Sequence, residues 1–203
     1  RALETETDCQ VAYSDLYRVY CEARPGSERV VRSKYVEISR DFDRFLMLYF
    51  NHVLHVSLMH RRDLLDKTGP YTESLNILID WDITRRLSFF SDFYHTLTIT
   101  GEFYCPLNES DRISDVRRRD SEDYLRNVLA IRTTHPPRPW PKIAELSIIL
   151  ATDHLDQQVG QTLMRIWRCT CYPYRLYLPL PAADLSRLNI GMPNVVFVPV
   201  EPQ

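Results

Sequence analysis

The stretch Asp80-Trp81-Asp82-Ile83-Thr84-Arg85-Arg86-Leu87 brings two carboxylates, an aromatic ring and two guanidinium groups within about two helical turns. Its apolar positions recur at helical spacing, which predicts a buried helix face made by Ile83, Leu87 and Phe90. Asp80 stands where the N-cap of that helix is expected. The spacing alone leaves two interpretations open. The acids cap and charge-complement the helix N-terminus, or Asp80 acts as a general base toward a hydroxyl in a cleft.

The composition is that of a globular protein without a bulk charge. The 203 residues are 44% hydrophobic and 26% charged, and the formal net charge is -2. Such a charge gives no field that would attract nucleic acid, so an anionic ligand would need a local cluster of cations. No apolar stretch reaches the roughly 20 residues that span a bilayer, and no signal peptide opens the chain. We therefore expect a cytoplasmic protein with no transmembrane segment and no nucleic-acid partner.

The five cysteines predict neither a disulfide framework nor a metal centre. Their number is odd, and Cys169 and Cys171 are separated by a single residue, which is too close for a C-x-x-C pair. Cys9, Cys21 and Cys105 fall near predicted strands, where we interpret them as small apolar residues. We therefore assign no metal ligands in this chain.

The first part of the chain has alternating predicted strands and helices. Residue spacing predicts a strand over 9–19, a mobile loop at 24–27, helices over 41–52 and 61–67, a strand over 95–105 and a helix over 121–131. Asp15 lies near the carboxyl end of the first strand. Gly69 is expected to end the second helix in a left-handed cap. This order predicts the α/β class.

Prolines mark a boundary in the second part of the chain. The segment His135-Pro136-Pro137-Arg138-Pro139-Trp140-Pro141 predicts a stiff extended connector, because proline fixes φ and lacks a backbone donor. We expect one domain over 1–132, a linker over 133–143 and a partial βαβ unit over 144–203. Within that unit an apolar run at 146–151 predicts a buried parallel strand. A helix over 156–168 and strands over 174–178 and 195–198 follow.

Two motifs resemble the second half of a family 2 glycosyltransferase with the GT-A fold. The first is the run from His60 to Leu75, in which a short basic helix precedes Gly-Pro-Tyr-Thr-Glu-Ser-Leu. The second is Asp80-Trp81-Asp82-Ile83, about ten residues after the glycine. The segment Val11-Ala12-Tyr13-Ser14-Asp15 also resembles the strand that follows the metal-binding loop of that family. The likeness covers about residues 1–105 and implies a partial GT-A-like mixed sheet with flanking helices.

The resemblance implies a role for each matching residue of the acidic motif. Asp80, with Asp82 beside it, would be the catalytic base that takes the proton of an acceptor hydroxyl. That oxygen would attack the anomeric carbon of a nucleotide-sugar with inversion. Trp81 would form part of the acceptor platform, and Arg86 would touch the diphosphate leaving group. For Arg86 the alternative is a surface ion pair with Asp82 at i, i+4.

Three more residues are implied in substrate binding. His95 stands where some members of the family place a histidine near the metal and the diphosphate. Asp15 lies near the carboxyl end of the first predicted strand. His60 opens the basic run. For both histidines the alternative is a solvated side chain without a functional role.

The sequence departs from the family pattern in two places. Ile79 stands where an acid often precedes the base, and no Asp-x-Asp motif precedes Asp15. The resemblance therefore implies that the nucleotide-binding half, with its divalent Mg or Mn ion, lies outside these residues and that this chain alone is inactive. The run from Ala144 to Thr152 is similar to the start of a second such half. Pro179-Leu180-Pro181 stands where an acid pair is usual.

Two hypotheses from different classes follow. In the first, the chain is part of an inverting glycosyltransferase that transfers a hexosyl group from a nucleotide-sugar to a glycan or other hydroxyl acceptor, as in cell-surface polysaccharide synthesis. In the second, it is a non-catalytic glycosyltransferase-like module for assembly or glycan binding. An unrelated α/β domain in which Asp80 is only a cap is the remaining alternative.

Overall fold

A computed structural model of the chain describes residues 2–5, 8–23, 29–36, 39–107, 121–152, 154–181 and 194–200. The fold is mixed α/β and contains two separate sheets. The chain divides into two compact units, one formed by Arg1–Asn127 with Pro136–Lys142 and the other by Val128–His135 with Ile143–Gln203. The loop predicted at 24–27 lies outside the described residues.

The elements of the first unit follow the predicted order. They are α1 (Ala2–Thr5), β1 (Cys9–Ala23), β2 (Arg29–Tyr35), α2 (Arg44–Tyr49), a 3-10 turn (His55–Ser57), β3 (Leu58–His60), α3 (Asp63–Thr68), α4 (Ile79–Leu87) and β4 (Asp92–Pro106). A further helix, α5 (Ser121–Thr133), agrees with the helix predicted over 121–131 and runs on into the second unit.

The central strand of the first sheet is β1, which has neighbours on both edges. It pairs in parallel with β4 along most of its length, and its other edge pairs antiparallel with β3 near the start and with β2 near the end. Its 15 residues are rich in valine and tyrosine, which favour strands. Val11, Val19 and Cys21 are buried along it. The predicted strand over 9–19 is therefore confirmed and is four residues longer.

A local irregularity interrupts the pairing of β1 with β4. Two steps along β1, from Tyr13 to Asp15, correspond to four steps along β4, from His95 to Ile99. Leu97, between them, has a positive φ of 50° and is 73% exposed. The strand predicted over 95–105 is therefore not regular here, because a bulge changes the register at this point.

Helix α2 is shorter than the predicted 41–52 helix. It spans only Arg44–Tyr49, and the Asp43 side chain caps it by accepting a hydrogen bond from the Leu46 N–H. Met47 and Leu48 are buried, but Phe45 and Tyr49 are 63% and 58% exposed. A six-residue helix makes less than two turns, so only one short stripe faces the core.

Helices α3 and α4 begin and end close to the predicted positions. Gly69 ends α3 as predicted, with a positive φ of 78° that glycine adopts readily. Its ψ of 173° lies outside the left-handed helical region, so the predicted left-handed cap is wrong. Leu78 precedes α4 in the left-handed conformation, and its carbonyl accepts from the Asp82 N–H at 3.0 Å. The N-cap is therefore Leu78, and the prediction that Asp80 caps the helix is wrong. Asp80 is the second helical residue.

The second unit contains a three-stranded parallel sheet. It holds β5 (Leu146–Ile149), α6 (Gln157–Cys169), β6 (Tyr174–Pro181) and β7 (Val195–Val200), with β6 in the centre. Asp156 caps α6 by accepting from the Val159 N–H, and Leu163 packs in the cluster with Leu176, Leu178 and Leu180. The βαβ order is as predicted. However, Ile149 is 71% exposed, so β5 is an edge strand rather than a buried one.

The proline-rich segment packs against its own unit instead of running free. The rings of Trp140 and Phe89 meet edge to face with centroids 4.9 Å apart. The Lys142 N–H donates to the Phe89 carbonyl at 3.2 Å, and its Nζ lies 2.7 Å from Oδ2 of Asp92. Residues 136–142 of the expected linker therefore belong to the first unit.

Candidate functional site

Asp80 is the acid of α4 whose carboxylate is partly exposed. The Asn51 amide Nδ2 donates to its Oδ2 at 3.1 Å. The Thr84 hydroxyl donates to the Asp80 backbone carbonyl at 2.6 Å, which leaves the side chain untouched. Among the residues that the structure describes, Oδ1 of Asp80 has no hydrogen-bond partner. A carboxylate with one oxygen fixed and the other accessible can accept a proton from a hydroxyl.

Asp82 has the opposite environment, although it lies only two residues away. Its side chain is fully buried and forms an ion pair with Arg86, whose Nη2 lies 2.7 Å from Oδ2. The Thr72 hydroxyl donates to the same oxygen at 2.8 Å. The Arg86 Nη1 donates to the carbonyls of Thr68 and Gly69 at 2.7 and 3.2 Å. These contacts join α4 to the end of α3. They leave neither the Asp82 carboxylate for the expected catalytic role nor the Arg86 guanidinium for the expected contact with a diphosphate.

Trp81 is part of the core and not an exposed platform. Its side chain is 3% exposed, and its indole N–H donates to the Met47 carbonyl at 2.8 Å. Arg85 is also buried, with its guanidinium over the Phe89 ring at 5.2 Å from the centroid. Of the charged and aromatic groups in the motif, Asp80 is therefore the one that the structure presents to solvent.

A second polar cluster joins β1 and β4 beside the bulge. Oδ1 of Asp15 lies 2.9 Å from Nε2 of His95, and both side chains are buried. The other ring nitrogen, Nδ1, lies 3.3 Å from Oδ1 of Asp41. The Ser39 hydroxyl donates to Oδ2 of Asp15 at 2.7 Å. The structure therefore brings together Asp15 and His95, two residues that the resemblance named separately.

Tyr13 completes this second cluster. Its ring stacks on the His95 ring with centroids 4.7 Å apart, and its hydroxyl donates to the Arg40 carbonyl at 2.6 Å. Burial, followed by the negative charges of Asp41 and Asp15, raises the pKa of Tyr13 well above its ordinary value, so the phenol is protonated at neutral pH. The cluster thus holds the segment 39–41 against the sheet.

The hydrogen bonds of the two clusters do not meet. The described partners of Asp80 are Asn51 and Thr84, while those of His95 are Asp15 and Asp41. His60 lies apart from both on β3, where its Nδ1 is 3.0 Å from the Arg61 carbonyl and its backbone is opposite Val11. Substrate binding by His60 has no support from its surroundings.

Sequence reasoning missed Asn51, Ser39 and Asp41. Each lies in a segment without regular secondary structure, so no periodicity marks it. The available signal was chemical: Asn51 is a polar residue directly after the aromatic run Tyr49-Phe50, at the end of a predicted helix. Such a position at a helix end suits a side chain with both a donor and an acceptor.

The described residues contain neither a metal-binding cluster nor a helix that could cross a membrane. In the described parts of the chain, no group of three or more His, Cys, Asp or Glu side chains is arranged to hold a metal ion. The five cysteines are free thiols, and Cys21 and Cys105 are buried in strands as predicted. Within the same ranges, no helix is long and apolar enough to cross a membrane.

Comparison with known proteins adds no relative. No protein-family model, no curated protein and no solved structure matches the chain. The geometry of Asp80 and the motifs in the sequence are therefore the observations that bear on function.

Proposed function

We propose that this chain forms the acceptor-side part of an inverting glycosyltransferase of family 2 type, with Asp80 as the general base. The observation that carries the proposal is the contrast within one helical turn. Asp82 is fully buried and neutralised by Arg86, whereas Asp80 is partly exposed, oriented by Asn51 and has an accessible oxygen. Of the two acids, Asp80 is therefore the one that could take a proton from an acceptor hydroxyl.

The proposed reaction is a displacement at the anomeric carbon of a nucleotide-sugar. The acceptor hydroxyl oxygen forms a bond to that carbon while the bond to the diphosphate oxygen breaks, and the hydroxyl proton passes to Asp80. The diphosphate leaves with the bonding electron pair, and the configuration inverts. Asp80 later releases its proton to solvent. A base placed within hydrogen-bond reach contributes about 10²- to 10⁴-fold to such a step.

The proposal assigns the donor site to residues outside this sequence. The described residues form no group of three or more His, Cys, Asp or Glu side chains that could hold a metal ion. A Mg or Mn ion and the nucleotide pocket remain expectations for the donor part, as the family resemblance implies. The choice of donor sugar would lie mostly in that part.

A specific observation favours the second hypothesis, a non-catalytic module. Trp81 and Arg86, which the resemblance assigns to acceptor and diphosphate, are both used in packing. In a module that assembles a larger protein or binds a glycan, Asp80 would be a surface acid on α4. Transfer activity therefore separates the hypotheses.

The test is a transfer assay on the intact protein with a panel of nucleotide-sugars. Asp80→Asn keeps the side chain's size and its contact with Asn51 but removes the base. We expect an inverted anomeric linkage in the wild-type product, determined by NMR, and loss of transfer in Asp80→Asn at unchanged folded content. Asp123→Asn is the matched control, because Asp123 also accepts a hydrogen bond from an asparagine amide at 3.1 Å. Equal transfer by the wild type and Asp80→Asn would exclude the proposal.

A further inference from the structure

We propose that Asn51 is a positioning residue for Asp80, an inference that rests on the proposed function. The Asn51 side chain makes two hydrogen bonds that fix its orientation. Its Oδ1 accepts from the Val53 backbone N–H at 3.2 Å, and its Nδ2 donates to Oδ2 of Asp80 at 3.1 Å. Because a backbone N–H can only donate, it determines that the oxygen of the amide faces Val53. The NH₂ group is therefore directed at the carboxylate.

Helix α2 holds this asparagine in place against α4. The Phe50 N–H donates to the Leu46 carbonyl at 2.9 Å and closes the helix directly before Asn51. Two residues before the end of α2, the Met47 carbonyl accepts from the buried Trp81 indole. The segment that carries Asn51 is thus tied to α4 by two hydrogen bonds, one from the Trp81 indole and one to the Asp80 carboxylate.

The Asn51 contact orients the base. It occupies Oδ2 and restricts the rotamer of Asp80, so that Oδ1 is the oxygen available to an acceptor hydroxyl. Asn51 would therefore align the base without touching the reacting atoms.

No described charged side chain on the neighbouring elements contacts the Asp80 carboxylate in place of Asn51. The ionisable groups on α4, on α2 and its cap, and on the segment after Asn51 have other partners in the structure. On α4, Asp82 and Arg86 pair with each other and Arg85 lies over Phe89. Asp43 caps α2, and Arg44 binds Asp92. His52 and His55 contact the Asp43 backbone and Tyr71. The amide of Asn51 is the polar group that the structure places on the Asp80 carboxylate.

The test compares kcat and acceptor KM of the intact protein with those of two Asn51 variants. Asn51→Asp keeps an oxygen for the Val53 N–H and nearly the same shape, but it replaces the donor with a second carboxylate that repels Asp80. Asn51→Ala removes the donor alone. We expect kcat to fall roughly tenfold or more in Asn51→Asp, and by less in Asn51→Ala, because a displaced base loses alignment. Acceptor KM should stay within about twofold of the wild-type value in both variants, because Asn51 acts on the base and does not touch the acceptor.

The chain offers a matched control in Asn76. Its Nδ2 donates to Oδ2 of Asp123 at 3.1 Å, and its Oδ1 accepts from Asn127, so Asn76→Asp makes the same chemical change away from Asp80. Its kcat and acceptor KM should equal those of the wild type. Thermal melting of every variant shows whether a loss of kcat reflects unfolding.

The possible results distinguish this inference from the proposed function. If Asp80→Asn is inactive and both Asn51 variants keep the wild-type kcat, the inference is overturned while the proposed function stands. A kcat that falls only in proportion to the folded fraction overturns it as well, because that result describes a merely structural residue. If Asp80→Asn keeps its turnover, the proposed function fails and the inference fails with it. Should Asn51→Asp not fold, the kcat and KM of Asn51→Ala decide.

Discussion

Arg86 donates two hydrogen bonds to a single oxygen of Asp82, with Nε at 3.1 Å and Nη2 at 2.7 Å from Oδ2. The two side chains are 4% and 0% exposed, so this is a buried ion pair. The remaining Arg86 nitrogen, Nη1, reaches the carbonyls that end α3. Asp82 and Arg86, which resemble catalytic groups in the sequence, therefore serve to fix the helix that carries Asp80.

Removing one partner of this ion pair should destabilise the protein severely. Asp82→Ala leaves the Arg86 guanidinium buried without its counter-charge, which typically costs about 3–5 kcal/mol. Urea unfolding followed by circular dichroism measures the loss in the free energy of unfolding. Asp80→Ala is the comparison within the same helix, and we expect it to change stability by less than about 1 kcal/mol, because its carboxylate is partly exposed. Similar losses for the two variants would contradict the division of roles between the two acids.

Trp81→Phe tests whether this ring contributes to packing or to acceptor binding. The substitution keeps most of the buried ring but loses the hydrogen bond to the Met47 carbonyl. We expect a loss of about 1 kcal/mol in stability, as for a typical buried hydrogen bond. Acceptor KM should stay within about twofold of the wild-type value, because the ring is not accessible. A large rise in KM at unchanged stability would show that Trp81 meets the acceptor after all.

Asp92 links three parts of the first unit and should make stability depend on pH in the acid range. Burial on its own would raise the pKa of Asp92, but hydrogen bonds from Lys142 and Arg44 outweigh it and hold that pKa below its ordinary value of 3.8. A carboxylate with a depressed folded pKa stabilises the fold above its unfolded pKa and loses this contribution as the pH falls through the folded one.

The corresponding variant is Asp92→Asn, which keeps the shape and removes the charge. Since the Asp92 side chain is 42% exposed, solvent screens the pair, and we expect a loss of about 1 kcal/mol at pH 7. Denaturation at pH 7, 5 and 3 checks the sign. The difference between wild type and variant should persist at pH 5 and shrink at pH 3. A difference that grows as the pH falls would contradict the ion-pair assignment.

His52 should cause a second pH dependence at a higher pH. Burial, with a smaller contribution from the Arg40 charge, lowers the pKa of His52 below its ordinary value of 6.5. Its Nδ1 is buried without a hydrogen-bond partner among the described residues. The folded state therefore holds the neutral ring, and its contribution to stability is present above pH 6.5 and is lost as the pH falls through the lowered pKa.

His52→Phe removes this titration while it keeps a ring next to Phe42 and Phe50. We expect the variant to gain stability relative to the wild type between pH 7 and pH 5, measured as the difference in denaturation midpoint. His60→Phe is a suitable control, since His60 is only partly buried on β3 and contacts a backbone carbonyl. A parallel pH dependence in wild type and His52→Phe would show that His52 is not held neutral.

Local sequence patterns predicted most elements but few of the contacts. Cys9–Ala23, Asp63–Thr68 and Gln157–Cys169 match predicted elements closely, because alternation, a glycine stop and an Asp N-cap are local signals. The position of Leu78 in the left-handed region is not a preference of leucine, so the start of α4 could not be predicted from propensity. Tertiary packing imposes it.

The candidate site was predictable in the same limited sense. The motif identified Asp80, and the resemblance named Asp15 and His95 separately. Their contact, across 80 residues of chain and 2.9 Å in space, came only with the structure. Trp81 and Asp82 are buried by contacts that α4 makes with α2 and with the region of α3. Residue spacing within α4 does not predict these contacts. Asn51 acts through a loop hydrogen bond, and loops carry no periodic signal.

The central claim concerns Asp80 as the base of a transfer reaction, and the most direct measurement is kcat for Asp80→Asn in the intact protein. A base contributes about 10²- to 10⁴-fold to such a step, and the asparagine accepts no proton at neutral pH. We predict that kcat falls by at least about 10²-fold while the melting temperature stays within about 2 °C of the wild-type value. A kcat within about twofold of wild type would contradict the account.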